Sequence, residues 1–268
     1  ITESESELFK KTLSYILFPD SLVGWDFEKN HYRYQSDNKA ELILQKSKKR
    51  LSHSNFSSEL ARVTYGVENQ TIPLGIDSDT IKSVEVGQHT GLKVLWNHMW
   101  RSDKGTAEAF DVIAELAPKY PKVEFWVGQT NTWDVRDSQL FVEKCFEKLT
   151  RLQKMDNVKF YSRIKNQKEY WTWISQVDIS FSTAFQEGFG LSMMEQEAAG
   201  IACVVPNAEA YPEIHGGCLI VDREKLSQGL EFLIQNPIER RSISQSCKEN
   251  ASRYDTSVWV EKMVKQLD

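Results

Sequence analysis

"DISFSTAFQEGFGLSMMEQEAAG", residues 178–200, reads as a buried strand, a glycine-bearing turn and a helix in unbroken succession. Residues 178–183 form a brief stretch around Ile179 and Phe181 with small hydroxyl residues beside them, and they read as a strand covered on both faces. A helix is predicted over 190–199. At about 100° per residue, Leu191, Met194, Ala198 and Ala199 share one stripe, and Glu195 falls in its middle. Glu197 is then expected to face solvent. Glu187 stands eight positions before Glu195, in the turn that leads into the helix. A carboxylate inside an apolar stripe calls for a polar partner.

The same alternation extends in both directions. Residues 92–97, 123–128, 158–162, 202–206 and 218–222 are further short apolar runs rich in Val, Ile and Phe. Helical patterns over 105–117, 137–153, 167–176 and 223–235 separate them, and 237–252 and 256–267 read as two more helices. Strand–helix alternation of this kind predicts an α/β fold with a doubly wound, parallel, Rossmann-like sheet. Before Leu92 the pattern changes. Residues 38–50 suggest a helix, "RLSHS" (50–54) a short strand, and "NFSSELARVTYG" (55–66) a helix capped by Asn55 or Ser57 and stopped by Gly66. "TIPLGID" (71–77) reads as a strand running into a turn at Gly75. The expected organisation is therefore the C-terminal portion of a first domain over 1–77 and a linker over 78–91. A second domain over 92–253 and a C-terminal helix over 254–268 follow. "ITESESELFK" lacks an initiator Met and opens in a helical pattern, so an upstream portion is expected to precede it.

The 268 residues are 40% hydrophobic and 26% charged, an ordinary soluble balance. The net charge of −5 argues against a broad nucleic-acid surface, and the basic run "QKSKKR" (45–50) reads as a solvated helix end. Cys145, Cys203, Cys218 and Cys247 show no C-x-x-C spacing and read as buried thiols of a reducing compartment. No apolar run approaches the ~20 residues of a membrane span. A cytoplasmic location is expected.

In doubly wound sheets, ligands sit at the carboxyl ends of the strands. The helix start near Gly190 offers free amides and a positive dipole end, which suit a phosphate. Gly188 and Gly190 allow close backbone approach, and Glu187 and Glu195 offer acceptors to the hydroxyls of a polyol. Either carboxylate alone is explained by a helix cap or an ion pair. The pair at this spacing, with these glycines between, favours a site.

Glu187, Gly188, Phe189, Gly190, Leu191, Glu195 and Gly200 together resemble the E-x7-E segment of the retaining glycosyltransferases of GT-B fold, glycosyltransferase family 4 in particular. "IPLGID" (72–77) resembles the strand and turn that end the first domain of those enzymes. The resemblance implies a nucleoside-diphosphate sugar as donor, GDP- or UDP-linked. Glu187 would contact the sugar hydroxyls and Glu195 the ribose. In "WNHMWRSDKG" (96–105), Lys104 matches the family's diphosphate-binding Lys, but Met99 stands where the family carries an Arg. Arg101 is expected to compensate. His98 in the same loop, with Gly128 and Arg163, completes the implied donor-binding set.

"WNHMW" (96–100), "VGQT" (127–130) and "YPEI" (211–214) resemble the tRNA-queuosine mannosyltransferase-like branch of the family. That branch would imply GDP-mannose and a modified tRNA nucleoside. Related enzymes glycosylate lipids, polysaccharides, small metabolites and modified phage DNA bases, so the acceptor stays open. No Asp-x-Asp motif stands where a metal-dependent transferase would need one, and neither a metal nor a further cofactor is expected. "VGQT" lacks the dinucleotide fingerprint, which argues against a dehydrogenase. "YWTWI" (170–174) is expected to pack a helix rather than stack a base, and His31, His53, His89 and His215 show no ligand spacing. Two alternatives remain: a sugar-nucleotide-binding module with a degenerate site, and a GT-B epimerase or phosphorylase.

Overall fold

The computed structural model describes residues 13–16, 22–26, 31–34, 45, 47, 49–84, 90–130, 137 and 139–266. Most of the helix expected over 38–50, the "ITESESELFK" opening and His89 lie outside the described residues. Strands β1 (Leu13–Ile16), β2 (Leu22–Asp26), β3 (His31–Tyr34), β4 (Lys49–Ser52) and β5 (Gln70–Thr71) come first. A parallel sheet runs in the order β1-β4-β5, and β2 pairs antiparallel with β3. Helix α1 (Asn55–Tyr65) is capped by Ser54, not by Asn55 or Ser57, because the Ser54 hydroxyl accepts from Ser57 N at 3.1 Å. The Asn55 amide is instead taken by Glu213 Oε1 at 2.7 Å, which with Phe56 N on Glu213 Oε2 at 3.1 Å ties α1 to the later part of the chain. A carboxylate on free amides at a helix start is a favourable pairing.

The strand expected over 71–77 is shorter in the structure. After Ile72 donates to Ser52 O, Pro73 has no N–H to continue the ladder. The chain turns instead to the C-terminal segment, where Ile76 N donates to Tyr254 O and Thr256 N to Ile76 O, each at 2.8 Å. Within the stretch read as a linker, α2 (Ser78–Lys82) forms a short helix capped by Asp77, and its Ile81 is buried.

From Leu92 the chain builds β6 (Leu92–Trp96), α3 (Thr106–Lys119), β7 (Val123–Val127), α4 (Gln139–Leu152), β8 (Val158–Phe160), α5 (Gln167–Ile174) and β9 (Ile179–Phe181). It continues with α6 (Leu191–Ala198), β10 (Ala202–Pro206), α7 (Tyr211–Ile214), β11 (Leu219–Val221), α8 (Leu226–Gln235), α9 (Pro237–Ser252) and α10 (Thr256–Val264). The six strands are parallel, in the order β11-β10-β9-β6-β7-β8. Alternate strand residues feed two cores. Val94, Trp96, Phe125 and Phe181 pack with α3, α4 and α8, whereas Leu95, Trp126, Cys203 and Val205 pack with α5, α6, α7 and α9. Both faces are thus covered, which explains the nearly continuous apolar strands. Among the described residues, no helix is long and apolar enough to cross a membrane.

Candidate functional site

The strand order reverses between β6 and β9: the chain moves from β6 outwards to β8 and returns on the other side. Such a switch point opens a crevice at the carboxyl ends of the two strands. Here the segments after β6 and β9 carry "NHMWRSDKG" and "STAFQEGFG". A cleft of about 830 Å³ lies there, a volume in the range of small-molecule sites. Of the residues expected in the site, His98, Arg101, Lys104, Arg163, Glu187, Gly188, Phe189, Gly190, Leu191 and Glu195 line it. Gly128 does not; its carbonyl accepts from Trp100 Nε1 at 2.9 Å behind the wall, and Gln129 is the lining residue there.

Two close approaches bring the loops together. Gly105 has φ +66°, and a Cβ there would meet Thr183 O at 2.3 Å, so only glycine lets the two loops touch. Lys104 then extends along the second loop, with Nζ 2.6 Å from Gln186 O and 3.2 Å from Glu187 Oε2. The other Glu187 oxygen accepts from Gly190 N at 3.0 Å. Burial alone would raise the Glu187 carboxyl, but Lys104 and the surrounding polar groups hold it below the usual carboxylate range. It is therefore ionised at neutral pH. Arg223 braces the loop from outside, donating to Thr183 O and Ala184 O at 2.9 Å each.

Helix α6 is rotated from the expected stripe. Its buried face comprises Met193, Met194, Gln196, Glu197 and Ala198, and Leu191 is 47% exposed on the cleft side. Glu197, expected in solvent, is 0% exposed. The reason is that α6 forms a wall: one face packs on the sheet and α9, and the face carrying Leu191, Ser192 and Glu195 borders the cleft. Glu195 is thus a cleft residue rather than a core residue. Its Oε1 lies 3.4 Å from Trp171 Nε1, and among the described residues no cation forms an ion pair with it. Burial raises its carboxyl, partly offset by hydrogen bonds from Trp171 and Tyr170.

Across the cleft, Arg101 is engaged by a neighbour. Its Nε and Nη2 donate to the two oxygens of Asp103 at 2.7 and 3.1 Å. Met99 is 38% exposed in the lining. The expected compensation by Arg101 would have to compete with this forked pair. Asn97 ties the loop to α6, donating to Tyr170 OH at 3.0 Å and lying 3.3 Å from Ser192 Oγ. "YWTWI" divides its work. Trp171 is buried, whereas Trp173 stacks on Trp126 with centroids 5.7 Å apart and also lines the cleft with Tyr170.

Sequence spacing missed Asn97, Tyr170, Trp173 and His53. His53 follows β4, in the first part of the chain, yet it packs against Gly188, where a Cβ would meet its ring at 2.4 Å. Burial lowers both His53 and His98 to about 4. Both are neutral when folded at pH 7, and the unfolded chain takes up their protons below 6.5. Stability should therefore fall as pH drops from 6.5 towards 4, by about 1.4 kcal/mol per pH unit per histidine once well below 6.5. His53→Gln and His98→Gln should each flatten that slope in denaturant titrations at pH 7, 6 and 5. An unchanged slope would show that neither ring is buried neutral.

Cys203, Cys218 and Cys247 converge behind the sheet, as do Glu197, His215 and Cys218. These residues lie in the core and do not line the cleft.

A parallel, doubly wound sheet with paired glutamates and a lysine at its switch point defines a Rossmann-like α/β protein with a polar cleft. Residues 93–251 match the family model "Glycosyl transferases group 1", and the chain belongs to that family. Over 127 residues it is 27% identical to a tRNA-queuosine alpha-mannosyltransferase from Drosophila melanogaster, covering 46% of this chain and 30% of that one. Among solved structures, an alpha,alpha-trehalose 6-phosphate synthase from Burkholderia multivorans superposes with a TM-score of 0.69 at 16% identity, covering 86% of this chain and 60% of that one. An E. coli trehalose-6-phosphate structure bound with UDP-2-fluoro glucose gives 0.73 at 15% identity, covering 96% and 67%. These likenesses establish the GT-B fold. The chain spans about a third of the curated relative's length and about three fifths of the Burkholderia chain's.

Proposed function

We propose that the protein is a nucleotide-sugar-dependent glycosyltransferase that acts with retention and holds its donor in this cleft. One observation carries the reading: Glu187 and Glu195 line the same cleft, and among the described residues only Glu187 is paired with a cation, Lys104. An ionised Glu187 suits the hydroxyls of the donor sugar, and Glu195 at the Tyr170–Trp171 end suits a ribose diol. Lys104 and the backbone amides at the start of α6 would receive the diphosphate and stabilise it as it leaves. Attack by the acceptor on the same face, assisted by the departing phosphate, would give retention.

The Drosophila relative favours a mannosyl donor and queuosine in tRNA as acceptor, and the fluoroglucose complex favours UDP. A thermal-shift screen of GDP-, UDP- and ADP-sugars distinguishes them. No stabilisation by any of the three would remove the reading, whereas stabilisation without donor hydrolysis or transfer would favour the sugar-nucleotide-binding module with a degenerate site. Product analysis with a labelled nucleotide sugar separates transfer from epimerisation or phosphorolysis.

The two glutamates should separate in calorimetry. Glu195→Ala is expected to weaken nucleoside diphosphate by about 1–3 kcal/mol, the scale for hydrogen bonds to a charged group. Glu187→Gln should spare the nucleoside diphosphate and weaken the intact nucleotide sugar. If GDP or UDP alone loses as much as the nucleotide sugar in Glu187→Gln, the sugar assignment is wrong.

A further inference from the structure

Three side chains that do not line the cleft form a hydrogen-bonded chain directly behind its turn. Asn250 on α9 donates from Nδ2 to Glu197 Oε2 at 2.8 Å and to Ile214 O at 2.9 Å. The other Glu197 oxygen meets His215 Nδ1, and His215 Nε2 lies 2.7 Å from Phe189 O. Glu197 and His215 are wholly excluded from solvent. A carbonyl oxygen can only accept, so Nε2 carries a hydrogen and donates it. One more proton is shared across the contact between Nδ1 and the carboxylate.

The Phe189 carbonyl and the Gly190 N–H belong to one planar, trans peptide group, so orienting the first orients the second. That N–H is the donor to Glu187 Oε1, at 3.0 Å. The packing leaves no slack: at Gly190, with φ +82°, a Cβ would lie 2.6 Å from His215 Nε2. We propose that His215, held by Glu197 and Asn250, is a positioning residue that orients the Phe189–Gly190 peptide and through it aims Glu187 at Lys104 and the cleft. The consequence for ligand binding rests on the donor-site reading above; the local geometry does not.

The first test needs no ligand and no variant. Nitrogen-15 spectra of the ligand-free protein should show the His215 Nε2–H protonated and slow to exchange. A ring unprotonated at Nε2 overturns the proposal. His215→Phe then keeps the ring volume and deletes the donor. Glu197→Gln keeps both bonds, because its oxygen accepts from Asn250 while its amide donates to Nδ1 of a neutral ring. His215→Phe is expected to weaken GDP- or UDP-sugar binding on the order of tenfold, with Glu197→Gln within about twofold of wild type. Guanosine or uridine affinity should be unchanged, and amides 188–191 should exchange faster in His215→Phe. Equal losses for nucleoside and nucleotide sugar would mark a merely structural role, as would unchanged exchange at 188–191 or a Glu197→Gln as damaging as His215→Phe. If wild type binds no nucleotide sugar, the donor-site reading fails, and the spectra and exchange still decide the positioning. Should His215→Phe not fold, the wild-type spectra and Glu197→Gln carry the test.

Discussion

Lys104→Ala should lower sugar transfer on the order of 10²–10³-fold, the scale for removing a preorganised group from a developing charge. Two effects act in the same direction. The substitution deletes the ammonium proposed to meet the diphosphate, and it leaves the Glu187 carboxylate without the cation 3.2 Å away. An unpaired carboxylate in the cleft would repel the anionic donor. Arg101→Ala should cost less, because the Arg101 guanidinium is already forked onto Asp103. Calorimetry with a nucleoside and its diphosphate separates a charge effect from a collapsed loop. Lys104→Ala should reduce diphosphate affinity far more than nucleoside affinity, and equal losses would point to collapse. If Arg101→Ala proves as damaging as Lys104→Ala, Arg101 has exchanged Asp103 for the phosphate and fills the position that Met99 vacates. If neither substitution changes diphosphate binding, the loop is not the phosphate site.

The second large effect lies in the core. Glu197→Leu should destabilise the protein by about 3–5 kcal/mol, the cost of leaving one partner of a buried ion pair alone. Glu197→Leu combined with His215→Phe should recover much of that loss, since an apolar pair needs no partner. Denaturant titrations of the single and double variants form the cycle. A Glu197→Leu that unfolds at the wild-type midpoint would show that the carboxylate does not lie in the core. The pH dependence has a definite sign. Burial alone would lower His215, but the neighbouring Glu197 raises it above its ordinary value. Its contribution is complete below 6.5 and is lost as pH rises through the folded value. Asn250→Ala, which removes one donor to Glu197, should move stability in the same direction as Glu197→Leu and by less.

The fold was legible because buried parallel strands leave a strong trace. "LKVLW", "VEFWV" and "ACVVP" are apolar on both faces, and amphipathic segments of fitting length separate them. Where a strand depends on its partner, the trace weakens. "TIPLGID" has the composition of a strand, but Pro73 ends the ladder and the C-terminal segment claims Ile76. The cap of α1 moved to Ser54 for a similar reason, as a glutamate 158 residues away took the Asn55 amide.

The carboxylates show the limit most clearly. Sequence spacing alone marks Glu187 and Glu195 as a pair around Gly188 and Gly190, because these are local features of a turn and a helix start, whereas Lys104 stood out through its match to the family's diphosphate-binding lysine. Which way α6 faces is another matter. The pattern Leu191-Met194-Ala198 and the pattern Met193-Met194-Ala198 are both apolar, and periodicity does not choose between them. The choice falls to two side chains remote in sequence: His215 and Asn250 give Glu197 a satisfied place in the core, and that turns Glu195 to the cleft. His53 likewise reaches Gly188 only because β4 and α1 fold back onto the second sheet. Local chemistry therefore determined the elements and the candidate carboxylates, while burial of a charge, which is stable only beside a distant partner, decided the face that α6 presents.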